Sequence, residues 1–284
     1  MTQKEEIKSC LKGGSKHYKQ IADETGFLAP SVRRVLGEGA KIGDFKRIAK
    51  GVYALKVNGN NAAVIYSGDA IEVLPKLAKK KFKFDMIYLD IPYNTPAVVG
   101  GNRGIKYPIV EVWQFDRVIS ALEKLLKDKY SPIIYMYSKA PSGLNKMKKY
   151  NNVFDKYGFK LCAEGNYYKY YPNGERVTNM RGDIILPEGI LIFNKTGVLR
   201  TKPPLAMEYH FERPKGYQTE KPAGLLNSLI SKFTKRRDKI LDPFMGSGVT
   251  IAEAVRLHRV GFGIEILQST IDNFAIPKIK EALI

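Results

Sequence analysis

The stretch "DKILDPFMGSGVTIAEAVRLHRVGFGIEI", residues 238–266, decides the fold of this chain. Its pattern predicts a short apolar strand, a loop containing Gly246 and Gly248, an amphipathic helix and a second apolar strand ending at Glu265. In such a unit the glycines let the backbone approach a ligand closely, and a carboxylate after the second strand can accept hydrogen bonds from ribose hydroxyls. The stretch therefore predicts an α/β fold that binds a nucleotide-like ligand.

The composition of the glycine loop separates three classes of ligand. A phosphate loop of the kinase type needs Gly-Lys-Ser/Thr, and "GSGVT" has no lysine. A dinucleotide fingerprint needs a third glycine where Ile251 stands, and Asp242 would repel a pyrophosphate. An acidic glycine loop favours a ligand with cationic groups, such as S-adenosylmethionine with its amino group and sulfonium. A plain strand–turn–helix without a ligand is the alternative.

Outward from this stretch, residues 62–284 alternate apolar strand-like runs with helical patterns. The runs "AAVIYSG", "FDMIYLD", "SPIIYMYS", "GILIFN", "DKILDPF" and "RVGFGIEI" predict strands, and "FDRVISALEKLLKD" and "PAGLLNSLISKF" predict helices between them. Continuous apolar strands that alternate with amphipathic helices indicate a mainly parallel sheet covered on both faces. The predicted fold class of this region is therefore α/β.

Residues 1–58 are patterned differently, and the glycine and asparagine cluster "VNGNNAAV" separates them from the rest. "HYKQIADETGFLAPSVRRVLGEG" predicts two helices packed across a glycine turn, and "DFKRIAKGVYALKV" predicts a short hairpin. This arrangement resembles a winged-helix DNA-binding domain, whose second helix enters the major groove. The resemblance implies DNA contacts from Ser31, Arg33 and Arg34. A small helical packing module with solvated arginines is the alternative.

The overall composition limits the partners and the location. A net charge of +19 fits a polyanionic partner, because each lysine or arginine set against a phosphate releases a counterion. A solvated basic surface is the alternative. The two cysteines lie far apart in the sequence, which predicts reduced thiols. The chain has neither a signal peptide pattern nor a long apolar run. We therefore expect a cytoplasmic protein without a membrane segment. The three scattered histidines predict no metal site.

Four motifs together resemble the DNA amino-methyltransferases. "LDPFMGSGVT" is similar to that family's S-adenosylmethionine loop, "GFGIEI" to its acidic strand end, "YQTEKPAGLLNSLI" in part to the preceding segment, and "YLDIPYN" to its Asp-Pro-Pro-Tyr tetrapeptide. The tetrapeptide comes first and the cofactor loop last, as in the permuted β group of the family. The resemblance covers residues 62–284 and implies a Rossmann-like S-adenosylmethionine-dependent methyltransferase fold with permuted motif order.

The resemblance also implies roles for individual residues around the cofactor. Glu265 would take the ribose hydroxyls, the segment 219–222 would lie near the methionine end, and Asp69 would lie near the adenine. For Asp69, an ordinary turn at a strand end is the alternative. The complete set implied for S-adenosylmethionine is Asp69, Thr219, Lys221, Pro222, Asp242, Pro243, Phe244, Gly246, Ser247, Gly248 and Glu265.

The tetrapeptide Asp90, Ile91, Pro92 and Tyr93 is the implied catalytic loop. The exocyclic amine of a base is a poor nucleophile, because its lone pair is delocalised into the ring. The Asp90 carboxylate and the Ile91 carbonyl would accept hydrogen bonds from that amine and localise the lone pair. Tyr93 would stack on a base rotated out of the duplex. The family usually has proline where Ile91 stands, so the backbone is less rigid there, and activity could be lowered or the loop ordered by substrate.

The implied target is an exocyclic amine in double-stranded DNA. Carbon-5 methylation of cytosine needs a cysteine after a proline, and neither Cys10 nor Cys162 follows one. In this family aspartate more often begins the tetrapeptide of adenine-N6 enzymes, so adenine is favoured over the N4 of cytosine. A DNA-binding regulator whose methyltransferase domain has lost activity is the alternative from another class. The oligomeric state stays open, with a homodimer as one option.

The region that reads the DNA sequence is not identified by the motifs. In the β group it usually lies between the strand "PEGILIFNKTG" and the "EKP" segment, and this interval, 198–216, is short here. Other candidates are the winged helix, the loop 94–108 and the basic aromatic stretch 166–183. The tyrosines of that stretch would stack on bases, or they belong to one more strand with a solvated face. The lysine runs at 79–83 and 146–149 are expected to be solvated helix ends.

Overall fold

The computed structural model describes residues 46–57, 60–92, 110–171, 173–178, 182–201, 207–212 and 220–283. The helices predicted for a winged-helix domain, with Ser31, Arg33 and Arg34, lie outside the described residues, as do Tyr93 and Thr219.

The described residues form one ten-stranded sheet in the order β1-β2-β3-β10-β9-β4-β5-β7-β6-β8. The strands are β1 (Lys46–Ala49), β2 (Val52–Val57), β3 (Asn60–Ser67), β4 (Met86–Asp90), β5 (Ile133–Ser138), β6 (Lys160–Tyr170), β7 (Glu188–Asn194), β8 (Met207–Glu212), β9 (Lys239–Asp242) and β10 (Val260–Glu265). The helical segments are α1 (Ala70–Lys79), α2 (Val112–Leu125), α3 (Pro141–Lys156), α4 (Ala223–Phe233), α5 (Val249–Arg256), α6 (Gln268–Thr270), a π-helical turn (Ile271–Ala275) and α7 (Ile276–Glu281).

The centre of the sheet is parallel. β3, β10, β9, β4 and β5 pair with one another in parallel, and all six strands predicted from apolar runs are present. Parallel neighbours end at the same edge of a sheet, so the carboxyl ends of these five strands meet. The mainly parallel α/β architecture predicted for this region is confirmed.

The flank of the sheet beyond β5 is mixed. β7 is antiparallel to β5 and β6, and β8 is parallel to β6. The stretch 166–183 begins with the end of β6, so the prediction of one more strand there is confirmed. β8 lies in the interval 198–216, where the resemblance implied a recognition region. DNA contacts by either segment stay a prediction.

The hairpin predicted near Gly51 is present as β1 and β2, but it extends the large sheet. β2 pairs with β3 in antiparallel register from Val52↔Tyr66 to Val57↔Asn60. The side chain of Leu55 is fully buried with Ile65 and Ile251. The sequence assigned this hairpin to the first domain, whereas apolar packing joins it to the second.

Helices cover both faces of the sheet. Ile87 and Leu89 of β4 pack with α1, α2 and α3 on one face, whereas Met86 and Tyr88 pack with α4 and α5 on the other. This division follows from the alternation of side chains along a strand. Gly261 lets α5 approach β10, because a Cβ atom there would lie 2.6 Å from Ile251 Cγ2.

The helices of the described residues include none that is both long and apolar enough to cross a membrane.

Candidate active site

Four carboxylates gather at the carboxyl edge of the parallel strands. Asp90, Asp242 and Glu265 are the last residues of β4, β9 and β10, and Asp69 follows β3. Open α/β sheets bind ligands in the crevice outside these strand ends. This edge is therefore the candidate active site, and Asp90, Asp242 and Glu265 come from three of the four motifs.

The glycine loop between β9 and α5 is closed around Asp242. This carboxylate is buried, and its Oδ1 accepts a hydrogen bond from Phe244 N at 3.0 Å. Thr250 of α5 also donates a hydrogen bond to Asp242. Gly248 has φ +77°, and a Cβ atom there would lie 2.8 Å from Ala275 Cβ in the π-helical turn. The loop therefore needs glycine at this position both for its backbone conformation and for close packing.

Glu265 joins the end of β10 to the same loop. Its Oε2 accepts from Gly246 N at 3.1 Å and its Oε1 from Leu267 N at 2.9 Å. An ionised carboxylate has about four lone-pair sites, so both oxygens keep the capacity to accept further hydrogen bonds. Pro243 and Ser247 are buried in the loop, and Phe244 is partly buried.

The buried carboxylates of this edge hold their protons more tightly than exposed ones. Burial raises the pKa of Asp242 to about 7. The hydrogen bonds from Thr250 and Phe244 lower this pKa, whereas the negative charges of Asp90 and Glu265 raise it further. Burial also raises the pKa of Glu265, although backbone N–H groups oppose the shift. A cation placed beside Asp242 would reverse this effect, because an opposite charge favours the ionised form.

Asp69 has a clear structural task. Its Oδ1 accepts from Ile71 N at 2.9 Å and caps the first turn of α1. Gly68 N donates to the carbonyl of Glu265 at 2.9 Å, which ties the end of β3 to the end of β10. Asp69 is therefore a helix cap at the edge of the candidate site, and its contact with a cofactor stays a prediction.

The described part of the tetrapeptide leaves β4 beside Lys221. The ammonium of Lys221 donates a hydrogen bond to Asp90 Oδ2. The side chain of Ile91 is 3% exposed and packs in the core on the α1–α3 face, and Pro92 is partly buried. Burial of Ile91 therefore fixes the chain here by packing, where the family's usual proline would fix it through its ring.

Lys221 belongs to a buried ionic chain that sequence reasoning did not find. Its Nζ lies 3.3 Å from Glu188 Oε2, and Glu188 also pairs with Lys169. Lys221 and Glu188 are 5% and 8% exposed. The chain runs Lys169–Glu188–Lys221–Asp90, so the ammonium of Lys221 contacts the predicted catalytic carboxylate. The position near the methionine end of the cofactor that the resemblance implied for Lys221 stays a prediction.

The charges in this ionic chain stabilise one another against burial. Burial alone would lower the pKa of Lys221, but the charges of Asp90 and Glu188 and hydrogen bonds to both raise it above its usual value. Burial alone would raise the pKa of Glu188, but the charges of Lys221 and Lys169 lower it overall. Both groups are therefore ionised at neutral pH.

Tyr88 lies at the same edge, and the motifs did not point to it. Burial, followed by the charges of Asp90, Asp242 and Glu188, raises the pKa of Tyr88 well above its usual value. Its hydroxyl has no hydrogen-bond partner among the described residues. Tyr88 therefore remains neutral, with a buried hydroxyl.

One sequence signal could have pointed to Glu188. It begins the otherwise apolar run "EGILIFN", and a charge at the end of a buried strand is unusual. Because β7 is antiparallel to β5, its first residue lies at the carboxyl edge of the central strands. The direction of β7 is not visible in the apolar pattern, so the partner of Glu188 was not predictable.

Pro222 caps the start of α4 and is buried, directly after Lys221. The preceding Glu220 pairs with Lys278 of α7 at 2.6 Å. In the part of the chain that the structure describes, no group of three histidine, cysteine, aspartate or glutamate side chains could hold a metal ion.

Residues 145–275 match the family model of the N6/N4 DNA methylases. The matched segment contains Lys169, Glu188, Lys221, Asp242 and Glu265, whereas Asp90 precedes it. The DNA adenine methyltransferase YhdJ of Escherichia coli (strain K12) is 25% identical over 259 residues, covering 73% of this chain and 80% of that protein.

Two solved structures share the fold. The M1.HpyAVI–SAM complex aligns with a TM-score of 0.56 at 21% identity and covers 78% of this chain and 98% of its own. The cytosine-N4-specific PvuII DNA methyltransferase aligns with a TM-score of 0.54 at 16% identity and covers 78% and 91%. Residues 145–275 therefore match a DNA methylase domain of the N6/N4 family, and the chain shares the α/β fold of the solved DNA methyltransferases.

Proposed function

We propose that this protein transfers a methyl group from S-adenosylmethionine to the N6 amino group of adenine in double-stranded DNA. The observation that carries the proposal is the position of Asp90. It ends β4 beside the glycine loop, at the edge where Asp242 and Glu265 also end their strands. A carboxylate there can hold the amine of a base close to a ligand bound by the loop.

The residues at the glycine loop fit S-adenosylmethionine. Asp242 is a buried carboxylate that lacks a cationic partner among the described residues, and burial raises its pKa. The ammonium and sulfonium of the cofactor supply positive charge, and Glu265 has acceptor capacity for its ribose hydroxyls. The bound cofactor supplies an electrophilic methyl group. The solved M1.HpyAVI structure is itself a complex with SAM, which supports the assignment.

In the proposed mechanism the protein positions the amine and stabilises charge. The Asp90 carboxylate and the Ile91 carbonyl accept hydrogen bonds from the exocyclic NH2, which localises the nitrogen lone pair. Asp90 would stabilise the positive charge that develops on this nitrogen during methyl transfer. The methylated nitrogen would then give one of its two protons to solvent. Tyr93 is proposed to stack on the flipped base, and Pro92 to fix the turn.

Lys221 and Glu188 are proposed to position Asp90. If Asp90 were paired with a lysine that had no other partner, the ammonium would neutralise most of the negative charge of Asp90. Because Glu188 shares the ammonium of Lys221, and Lys169 also pairs with Glu188, Lys221 neutralises Asp90 only in part, and Asp90 keeps some of its negative charge. This residual charge faces the amine as positive charge develops there. Glu188 therefore acts through Lys221 without touching the base.

Adenine is the proposed target because aspartate begins the tetrapeptide and because YhdJ is named a DNA adenine methyltransferase. The N4 of cytosine remains the second candidate, since the PvuII enzyme with the same fold is cytosine-N4-specific. Contacts to DNA by Ser31, Arg33 and Arg34 are part of the proposal, as the winged-helix resemblance implies.

The test is transfer of an isotope-labelled methyl group from S-adenosylmethionine to mixed-sequence duplex DNA, followed by digestion to nucleosides. The label is expected in N6-methyladenine. Label in N4-methylcytosine would overturn the choice of base. Retained cofactor binding without any incorporation would instead favour a regulator that has lost transferase activity.

A further inference from the structure

The edge of the sheet opposite the candidate active site is strongly basic. It consists of the loops that lead into the parallel strands or leave the antiparallel β7, residues 80–85, 126–132, 195–201, 234–238 and 257–259. These loops, here called the amino edge, contain eleven lysines and arginines but only three aspartates. The amino edge therefore holds a concentrated share of the positive charge of the chain.

The three aspartates of the amino edge neutralise only a small part of it. Asp85 pairs with Lys127, Asp128 pairs with Arg200 at 3.0 Å, and Asp238 Oδ2 accepts from Lys235 N. By contrast, Lys80, Lys81, Arg236 and Arg237 are exposed and form no ion pair with the described residues. These four charges are available to a partner.

Backbone hydrogen bonds join the five loops into one continuous surface. Lys127 N donates to the Phe84 carbonyl at 2.9 Å, and Lys195 N donates to the Lys129 carbonyl at 3.0 Å. On the other side, Asp85 N donates to the Lys239 carbonyl at 2.8 Å and Arg237 N to the His258 carbonyl at 2.9 Å. The basic side chains are thus mounted on a fixed frame.

The backbone of the amino edge carries a second, independent signal. The non-glycine residues with positive φ among the described residues are Lys81 (57°), Arg237 (72°) and His258 (61°), and all three lie on this edge. The left-handed conformation disfavours side chains with a Cβ atom, and glycine or asparagine usually occupies such positions at helix ends. Basic residues therefore stand where the backbone alone would favour glycine, a pattern that indicates a task for the side chains.

We propose that the amino edge is a second contact surface, which binds the phosphate backbone of double-stranded DNA without reading its sequence. It faces away from Asp90 along the strands, so it contacts a different part of the polymer from the methylated base. Uncompensated lysines and arginines fit phosphates, which position a protein but carry no sequence information. This inference rests on the proposed function only for the nature of the polymer.

The test compares two matched double variants of the full chain. Lys80→Gln with Arg236→Gln removes two exposed charges from the amino edge, and Lys148→Gln with Lys149→Gln removes two exposed charges from α3. Affinity for a duplex of random sequence is measured against salt concentration. The association constant K decreases as salt rises, and each phosphate contact contributes about 0.9 to the steepness of log K against log salt. This dependence is therefore expected to become less steep by about 2 in the amino-edge variant. It is expected to change far less in the control.

Two further variants separate charge from conformation. Arg237→Gly suits the left-handed backbone but removes the charge, and Arg237→Lys keeps the charge. The proposal predicts that Arg237→Gly lowers the affinity for duplex DNA. It also predicts that Arg237→Lys leaves the salt dependence of binding unchanged. Equal slopes in the amino-edge and α3 double variants, or loss of single-stranded RNA binding with duplex binding intact, would overturn it. Methyl transfer by the unaltered protein is measured separately, at saturating DNA. A lack of transfer would contradict the proposed function but would leave the proposed DNA contact at the amino edge intact.

Discussion

Lys221 is the residue that links the predicted catalytic carboxylate to a second buried acid. It is almost fully buried between Asp90 and Glu188, and it connects the tetrapeptide to a strand that no motif covers. Breaking a buried ion pair on one side leaves an uncompensated charge and costs several kcal/mol. Substitutions that keep shape but change charge are therefore the informative ones at this position and its neighbours.

Glu188→Gln tests the positioning role of Glu188. The amide keeps the size of the side chain but lets Lys221 neutralise Asp90 more completely, so kcat is expected to fall about tenfold, which corresponds to about 1.4 kcal/mol of transition-state stabilisation. The Kd of S-adenosylmethionine is expected to change little. Glu164→Gln, on an exposed acid of the neighbouring strand β6, is the control. A loss of thermal stability with unchanged kcat would reduce Glu188 to a structural role.

Asp242 predicts a dependence of cofactor affinity on pH. In the free protein its pKa is about 7, and a bound cation lowers it, so binding below pH 7 releases a proton. Affinity for S-adenosylmethionine is therefore expected to rise as pH increases from 5.5 to 7, about tenfold per pH unit at most. In Asp242→Asn the affinity is expected to rise less with pH. Titration of the ligand itself affects both proteins equally, so the difference between them reports Asp242. Parallel pH profiles for the two would refute the role of Asp242.

At the scale of elements, the glycine loop depends on the contact of Gly248, which precedes α5, with the π-helical turn between α6 and α7. Gly248 starts α5 and touches Ala275 across this contact. The terminal segment also includes Ile271 and Ile279, which are fully buried against Leu55 and Ile65. The ligand loop is thus held between the sheet and a helical segment that follows the last strand.

Gly248→Ala measures this contact against a matched control. Gly174 has a similar φ of +83° in open space, so Gly174→Ala reports the cost of the left-handed conformation alone, about 1–2 kcal/mol. Gly248→Ala adds the clash with Ala275, and its unfolding free energy is expected to drop by about 1–3 kcal/mol more. Denaturant titration measures both. Equal losses in the two variants would mean that the packing against Ala275 is not restrictive.

Much of this architecture could be predicted from local patterns, because strands and helices have short periods. The apolar runs that end at Asp90, Asp242 and Glu265 gave three strands and, through the rule for parallel sheets, one common edge. The pairings of β7 and β8 depend on residues far apart in sequence, so periodicity could not give them. The contact of Glu188 with Lys221 depends on those pairings, so the motifs did not reveal it.

At the scale of the whole molecule, the two edges of the sheet differ in charge. Buried carboxylates lie at the carboxyl edge, and exposed lysines and arginines lie at the amino edge. The net charge of +19 fits a polyanionic partner, but composition cannot distinguish an even distribution from a segregated one. With the lysines and arginines at the amino edge, positive charge attracts DNA there but does not repel a cationic cofactor at the carboxyl edge.

The central claim is that Asp90 activates an exocyclic amine of DNA for methyl transfer. The most direct measurement is single-turnover transfer of labelled methyl to duplex DNA by the unaltered protein and by Asp90→Ala, with the Kd of S-adenosylmethionine determined for both. We expect label in adenine with the unaltered protein and a loss of about 100-fold or more in the variant, as for removal of a key electrostatic contact, at a nearly unchanged Kd. Near-normal transfer by Asp90→Ala would contradict the account.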